Sequence, residues 1–174
     1  MFIAIYAVLF SLLTEAVLGV TLEQKDLSMT KGEGKSMYIS CKVTGLTTTY
    51  VHWYQQKDGE ALTRILYVSS GSKPVHDTTH PEAKDFDVRL QSDNYDLKIA
   101  NLKKSHSAVY YCASWETGYK VKVFGSGTRL YVTDKEKTSP TVSVYPVSNE
   151  ANGTSVLLCQ AQGMFPDLVK FTWK

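Results

Sequence analysis

The sequence contains few side chains whose spacing would support catalysis. His76 and His80 are four residues apart, but Pro74 and Pro81 flank them, so no helix places both imidazoles on one face. Residues 105–107 (Ser-His-Ser) are adjacent, whereas a nucleophilic triad needs side chains that converge from separate elements. No glycine-rich phosphate loop follows a strand-like run. We therefore expect no enzymatic activity, no bound metal and no cofactor.

Composition places the chain among ordinary globular proteins. Of its 174 residues, 43% are hydrophobic and 21% are charged, and the net charge is +2. This balance does not favour nucleic-acid binding, which usually needs a basic stripe. Glycine and proline are too few for a collagen-like or disordered chain. The three cysteines, Cys41, Cys112 and Cys159, are an odd number, which matters if the chain is secreted.

Residues 1–19 predict a secretory signal peptide. The first 13 residues are apolar apart from Ser11, and Val17 and Gly19 suit the −3 and −1 positions of a cleavage site. As a helix, the apolar run would rise about 20 Å, short of the ~30 Å bilayer core. The alternative is a buried first strand. Cleavage would remove Glu15 and no basic residue, giving a net charge of +3, and secretion would permit disulfide bonds.

Apolar and polar side chains alternate along several short segments, which predicts strands with one buried face. Turn-forming clusters separate these segments, and no segment has a sustained helical period. The predicted fold class is all-β, an antiparallel sandwich. The predicted strands are residues 36–44, 51–56, 86–90, 97–99, 108–114 and 128–133, followed by 140–146 and 155–161.

Two of the cysteines fit the core pattern of an immunoglobulin domain. Trp53 follows Cys41 by 12 residues, Cys112 follows Cys41 by 71, and Tyr110 precedes Cys112 by two. In such a domain the cysteines of facing sheets form a disulfide, the indole packs on it, and the tyrosine hydroxyl bonds the backbone at a corner. We expect a Cys41–Cys112 disulfide with Trp53 and Tyr110 in the core. The alternative is a free, reactive thiol.

The end of this region resembles a rearranged antigen-receptor variable domain. Tyr110-Tyr111-Cys112 is followed by Phe124-Gly-Ser-Gly-Thr128, which is similar to the joining motif of light chains and T-cell receptors. The glycines would form a bulge that bends the last strand. Residues 113–123 would form the third hypervariable loop. The resemblance extends over nearly all of residues 22–133.

Several segments resemble T-cell receptor gamma chains in particular. They are Ala113–Glu116, the joining residues 124–128, Asp134–Lys135, and residues 165–170 followed by Trp173. An immunoglobulin light chain is the near alternative, because its motifs overlap. An immunoglobulin-like adhesion module is a further alternative, although such a module has no reason to carry a joining motif.

The resemblance implies a variable domain at residues 20–133, a charged linker at 134–139 and the start of a constant immunoglobulin domain at 140–174. Trp173 follows Cys159 by 14 residues, which is similar to the cysteine-to-tryptophan spacing of the first domain. We expect this second domain to be incomplete, with the cysteine partner and any membrane-spanning segment beyond residue 174. Asn152 begins an Asn-Gly-Thr sequon, a candidate glycosylation site.

The resemblance further implies antigen recognition by a heterodimer with a T-cell receptor delta chain. Invariant signalling subunits would complete the receptor on the extracellular face of the plasma membrane. The expected chain-pairing residues are Tyr54, Gln56, Leu62, Tyr111 and Phe124, the alternative being ordinary half-exposed strand residues. The expected antigen-binding residues are Leu46, Thr47, Thr48, Thr49, Tyr50, Ser69, Ser70, Gly71, Ser72, Trp115, Glu116, Thr117, Gly118, Tyr119 and Lys120.

Side chains at two places in the third loop each have two alternative roles. Trp115 is so near the base of the loop that it packs either on the partner chain or on the ligand. Lys120 and Lys122 alternate with apolar residues, so they belong either to the binding surface or to a solvated strand face. The antigen itself has no signature in the sequence.

One position departs from the family pattern and generates a stability prediction. Variable domains usually have Asp four residues before the first Tyr of Tyr-Tyr-Cys, where this chain has His106. The usual aspartate bridges to a basic residue near the fourth strand, here Lys84, so we expect a lost bridge that costs about 1 kcal/mol. His106→Asp should then raise the thermal unfolding midpoint, and an unchanged midpoint would contradict this expectation.

Overall fold

The computed structural model describes residues 19–45, 50–116, 121–147 and 156–172. Some predicted features lie outside these ranges. They are residues 1–18 of the signal peptide, Leu46, Thr47, Thr48 and Thr49 of the first loop, Thr117, Gly118, Tyr119 and Lys120 of the third loop, Asn152 and Trp173.

The described residues form fourteen strands and two short 3-10 helices, Ala83–Asp85 and Lys104–His106. The strands, numbered along the chain, are β1 (Thr21–Glu23), β2 (Ser28–Lys31), β3 (Met37–Ile39), β4 (Lys42–Thr44), β5 (Tyr50–Gln56), β6 (Thr63–Ser69), β7 (Val75–His76), β8 (Phe86–Gln91), β9 (Asn94–Ile99), β10 (Ala108–Trp115), β11 (Lys122–Phe124), β12 (Thr128–Val132), β13 (Thr141–Val147) and β14 (Val156–Gln162).

Strands β1 to β12 form two sheets whose apolar faces share one core. The first sheet has the order β1-β4-β9-β3, with β8 also paired to β9. The second has the order β2-β12-β10-β5-β6-β7, with β11 also paired to β10. The pairing of β12 with β2 is parallel, and the other described pairings are antiparallel. The predicted all-β sandwich is confirmed.

Strand β6 was not predicted from the sequence, because a bulge breaks its alternation. The register of β5 with β6 shifts so that Leu66 lies opposite Trp53 but Arg64 lies opposite Tyr54. The extra residue is Ile65, and both it and Leu66 are fully buried. Because Ile65 and Leu66 both point inward, apolar and polar residues do not alternate along this strand, as expected at a bulge.

A disulfide between Cys41 and Cys112 joins the two sheets, with 6.4 Å between the Cα atoms. Trp53 and Tyr110 are fully buried in the same core. The Trp53 indole N–H donates to a β9 carbonyl oxygen at 3.0 Å, and the Tyr110 hydroxyl donates to the His106 carbonyl oxygen at 2.7 Å. Burial raises the pKa of Tyr110, so its hydroxyl keeps the proton that this corner bond requires.

The side-chain amide of Gln24 is buried, and it hydrogen-bonds the segment after β1 to the central strands of the second sheet. Its oxygen accepts hydrogen bonds from the backbone N–H groups of Cys112 at 3.2 Å and Gly127 at 3.1 Å. Its nitrogen donates to the Tyr110 carbonyl at 3.0 Å and to the Thr128 hydroxyl at 3.2 Å. A single Gln in a segment without alternation gives no signal of burial, so this role was not predicted.

The partner expected for position 106 is wrong, because the fully buried His106 imidazole lies against two carboxylates. Its Nδ1 accepts a hydrogen bond from the Lys103 N–H at 3.1 Å, so its Nε2 carries the proton that Asp85 accepts, also at 3.1 Å. Glu82 lies 3.8 Å from the same nitrogen. The expected partner, Lys84, is exposed and forms no ion pair with any described residue.

A hydrogen bond from the His106 Nε2–H to Asp85 therefore stands where the usual ion pair would lie. Lys103 lies 2.5 Å from Asp85, and this hydrogen bond lowers the pKa of the Asp85 carboxyl. Lys57 lies 3.1 Å from Glu82, and the Ser105 hydroxyl donates to Glu82 at 2.6 Å. The carboxylates and His106 place potential metal-ligand atoms within 4.8 Å of one another, but each group is already engaged by protein hydrogen bonds.

Strands β13 and β14 form a separate two-stranded sheet in which Val144 lies opposite Cys159. Its apolar side chains are largely exposed, for example Val142 at 54% and Leu157 at 52%. An isolated pair of strands is marginal in water, so these faces need a covering surface. Cys159 is a half-buried free thiol. No helix in the described part of the chain has the length and hydropathy to cross a bilayer.

Replacing Gln24 with Met should lower the free energy of unfolding by about 2–4 kcal/mol, because the buried N–H groups of Cys112 and Gly127 lose their acceptor. The same change at Gln56, on the outward face, should shift stability by no more than about 0.5 kcal/mol. Urea unfolding measures both variants. Equal losses of unfolding free energy in the two variants would show that the hydrogen bonds of Gln24 do not stabilise the domain.

His106→Asp should lower the thermal midpoint, opposite to the expectation from sequence. The new carboxylate would face Asp85 and Glu82 at a buried position, which should cost about 2 kcal/mol or more. Adding Asp85→Arg should recover most of the loss by restoring opposite charges. A midpoint that rises in the single variant, or that fails to recover in the double variant, would contradict the position of His106 between the two carboxylates.

Candidate functional site

The pairing of β10 with β5 determines which side chains reach the outward face of the second sheet. Cys112 lies opposite Trp53, and Tyr111 lies opposite Tyr54. Because side chains alternate across a strand, the first pair points into the core and the second points outward. Strand β11 brings Phe124 to the same outward face beside β10.

Four of the five expected pairing residues line one groove of about 220 Å³, here called the pairing groove: Gln56, Leu62, Tyr111 and Phe124. Leu62 is 40% exposed and Phe124 is 42% exposed. The fifth residue, Tyr54, packs against Phe124 with 5.5 Å between ring centroids. Exposed apolar groups around an amide form a surface suited to contact with another protein.

The two glycines of the joining motif lie where the backbone passes so close to a neighbouring side chain that a Cβ atom would not fit. A Cβ at Gly125 would overlap the Gln24 amide, and a Cβ at Gly127 would lie 2.5 Å from Tyr111 Cε1. Gly127 also has a φ of +84°, which other residues rarely adopt. The motif therefore lets the last strand cross between Gln24 and the Tyr111 ring.

Lys122 lies over two aromatic rings at the loop end of this face. Its ammonium donates to the Tyr54 hydroxyl and lies 4.9 Å from the Tyr54 ring centre and 4.8 Å from the Trp115 ring centre. The side chain is half-buried, so a solvated strand face does not describe its position. Cation–π contact of this kind is favourable and also holds the rings in place.

The described parts of the three expected antigen-binding loops meet at one end of the second sheet. Tyr50 pairs with Ser69 across β5 and β6, and the Ser114 hydroxyl donates to the Tyr50 carbonyl at 2.8 Å. The Glu116 N–H donates to the Val121 carbonyl at 2.8 Å and closes the base of the third loop. The turn after β6 consists of Ser70, Gly71 and Ser72.

His52 is a buried titratable residue on the outward face, and its burial there was not predicted. Only 8% of the residue is exposed, and its ring lies 6.4 Å from Tyr54 and 5.8 Å from Tyr67. Burial, with contributions from Lys122 and Arg64, lowers the pKa of His52 to about 4. The imidazole is therefore neutral at physiological pH and has one N–H donor and one acceptor nitrogen.

Comparison with known proteins agrees with this geometry. The immunoglobulin V-set domain model matches residues 24–133. A human protein described as "Probable non-functional T cell receptor gamma variable" is 34% identical over 112 residues, which cover 63% of this chain and 95% of that protein. The mouse T-cell receptor gamma chain V region 5/10-13 is 37% identical over 118 residues, 64% of this chain and 84% of that protein. A solved marsupial T cell receptor superposes with a TM-score of 0.70 and 34% identity, covering 87% of this chain and 72% of that chain.

The sandwich, the joining motif and the outward face together define a variable-type immunoglobulin domain of an antigen receptor. Within that class, the chain belongs to the T-cell receptor gamma family, which confirms the resemblance found in the sequence. It is an antigen-recognition chain of a receptor heterodimer, with its immunoglobulin domain outside the cell. The family is one of receptors without enzymatic activity, as expected.

Acid should destabilise the domain partly through His52. The folded pKa is about 4 and the usual value is 6.5, so the unfolded chain binds the extra proton and stability falls as the pH drops through this interval. His52→Phe should flatten the decline between these pH values in urea unfolding. Burial also lowers the pKa of His80, but this residue is present in both the unchanged chain and the His52→Phe variant, so its contribution cancels in the comparison. Parallel pH curves would contradict a neutral, buried His52.

Proposed function

We propose that this chain pairs with a T-cell receptor delta chain through Tyr54, Gln56, Leu62, Tyr111 and Phe124. The observation that carries the proposal is the pairing groove, where an amide lies among half-exposed leucine, tyrosine and phenylalanine side chains. Left in water, such a patch would make the isolated domain prone to association. In a pseudo-two-fold pair, Gln56 would hydrogen-bond its counterpart on the partner.

The three loops at the end of the second sheet bind antigen in this proposal. Their support is the adjacency of Tyr50, Ser69 and Ser114, which brings the loop bases together. Tyr50 and Trp115 are 48% and 41% exposed, and rigid aromatic rings contribute contact area at low entropic cost. The antigen-binding residues are those of positions 46–50, 69–72 and 115–120.

The remaining segments have the roles expected of a T-cell receptor gamma chain. Residues 1–19 act as a signal peptide, 20–133 as the variable domain and 134–139 as a linker. Residues 140–174 begin a constant domain whose further strands would cover the apolar faces of β13 and β14. Asn152 carries a glycan, and the heterodimer joins invariant signalling subunits at the plasma membrane.

Co-expression with a tagged delta chain tests the pairing face. Leu62→Asp and Phe124→Asp each place an unpaired carboxylate in the pairing groove, so the amount of this chain captured with the delta chain should fall about tenfold or more. Leu27→Asp is the matched control, because Leu27 is 64% exposed and precedes β2 at the opposite edge of the sheet. The control should pair as the unchanged chain does.

The contrary outcomes separate the alternatives. Capture that is insensitive to both groove variants would contradict the pairing face. Capture by an immunoglobulin heavy chain in place of the delta chain would contradict the delta chain as the partner. Ligand binding by the single chain, without a rearranged partner, would contradict recognition by the paired loops.

A further inference from the structure

A second groove, of about 400 Å³, lies on the outward face nearer the loops and is called here the loop-end groove. It is lined by Tyr50, His52, Arg64, Tyr67 and Trp115. Tyr54 lies between it and the pairing groove, since its ring stacks on His52 and packs against Phe124. The loop-end groove is therefore continuous with the proposed pairing face, although none of its lining residues has a pairing role above.

The loop-end groove has aromatic walls, one cation in its lining, Arg64, and a second, Lys122, beside its Trp115. Arg64 and Lys122 are the cations that act on His52. The Arg64 guanidinium forms a salt bridge with Asp77, with 2.8 Å between Nη2 and Oδ2. By contrast, no carboxylate of residues 19–45, 50–116, 121–147 or 156–172 lies in salt-bridge range of the Lys122 ammonium, which rests on the rings of Tyr54 and Trp115. At the edge of the groove, beside Trp115, Lys122 thus presents a cation that no carboxylate of the described residues neutralises.

His52, which lines the same groove, has a polar atom without a hydrogen-bond partner. Its Nδ1 is buried and has no hydrogen-bond partner in the structure. Buried polar atoms are nearly always paired, and one left unpaired within a recognition surface suggests that the partner supplies the missing bond. Because the imidazole is neutral, it can donate one N–H to an acceptor oxygen.

We propose that the loop-end groove receives an Asp or Glu side chain from the third hypervariable loop of the paired variable domain, an inference that rests on the pairing proposed above. Its carboxylate would pair with Lys122, and a rotation of the His52 ring would bring the buried Nδ1 to the surface of the groove, where it would donate to the same carboxylate. The rings of Tyr50, Tyr67 and Trp115 would pack around its methylene groups.

The position of the partner loop follows from the symmetry of pairing. In a pseudo-two-fold pair, equivalent faces meet, so the loop end of one domain lies against the loop end of the other. The third loop of this chain has its base at Trp115, beside the groove, and the equivalent partner loop would face the same region. An aliphatic side chain there would leave Lys122 and His52 unmatched, and a basic one would be repelled.

A paired library tests this assignment. The full chain is co-expressed with a delta chain whose third hypervariable loop is randomised, and the delta sequences recovered by capture of this chain are counted. Asp and Glu should be enriched about tenfold at one loop position. With Lys122→Met this enrichment should disappear, and with Lys122→Glu the preference should change to Lys and Arg at the same position.

The change of preference in Lys122→Glu distinguishes recognition of the partner side chain from a purely structural role of Lys122. A merely structural role would reduce pairing for every loop sequence without altering the preferred side chain. His52→Phe, which keeps an aromatic ring but removes the donor, should also weaken the acid preference. Lys42→Glu is the matched control on the first sheet, where Lys42 is exposed, and it should keep the preference unchanged.

The outcomes distinguish this inference from the pairing proposal. Abundant pairing without acid enrichment, or acid enrichment that persists unchanged in both Lys122 variants, would overturn the role of the loop-end groove alone. A library in which no delta loop sequence pairs with the unchanged chain would overturn the delta pairing and, with it, this inference.

Discussion

The register between β10 and β5 is the constraint on which the rest of the structure depends. It sets Cys112 opposite Trp53 and Tyr111 opposite Tyr54. A slip of one residue would turn the tryptophan outward and the tyrosines into the core, since side chains alternate along each strand. The inter-sheet disulfide and the hydrogen bonds of Gln24 hold this register from inside the sandwich.

The second sheet consequently has one completed face and one incomplete face. Its inner side is closed by fully buried side chains and satisfied hydrogen bonds, whereas its outer side leaves Leu62 and Phe124 about two-fifths exposed. The same outer side buries His52 with an unpaired Nδ1 and places Lys122 over aromatic rings. Groups that are unfavourable in an isolated domain are expected where a second domain completes the contacts.

The corner at His106 shows that a hydrogen bond can take the place of the usual ion pair. The imidazole N–H needs an acceptor but does not specify which segment of the chain supplies the carboxylate. The hydrogen bond matters because the Tyr110 hydroxyl donates to the His106 carbonyl, so the buried ring and the tyrosine corner are held together. The missing aspartate is visible at one position of the sequence, whereas its replacement, Asp85, is 21 residues away.

The sequence by itself determined the all-β class, the immunoglobulin pattern and the gamma family, because alternation, cysteine spacing and the joining motif are all written along the chain. Only the tertiary structure decided the bulge at Ile65, the burial of Gln24, the groove at His52 and the hydrogen bond between His106 and Asp85. Each of these depends on contacts between residues far apart in sequence; Gln24 and Gly127, for example, are separated by 103 positions. Local periodicity reports which face a side chain occupies, but it does not report which distant atom lies opposite.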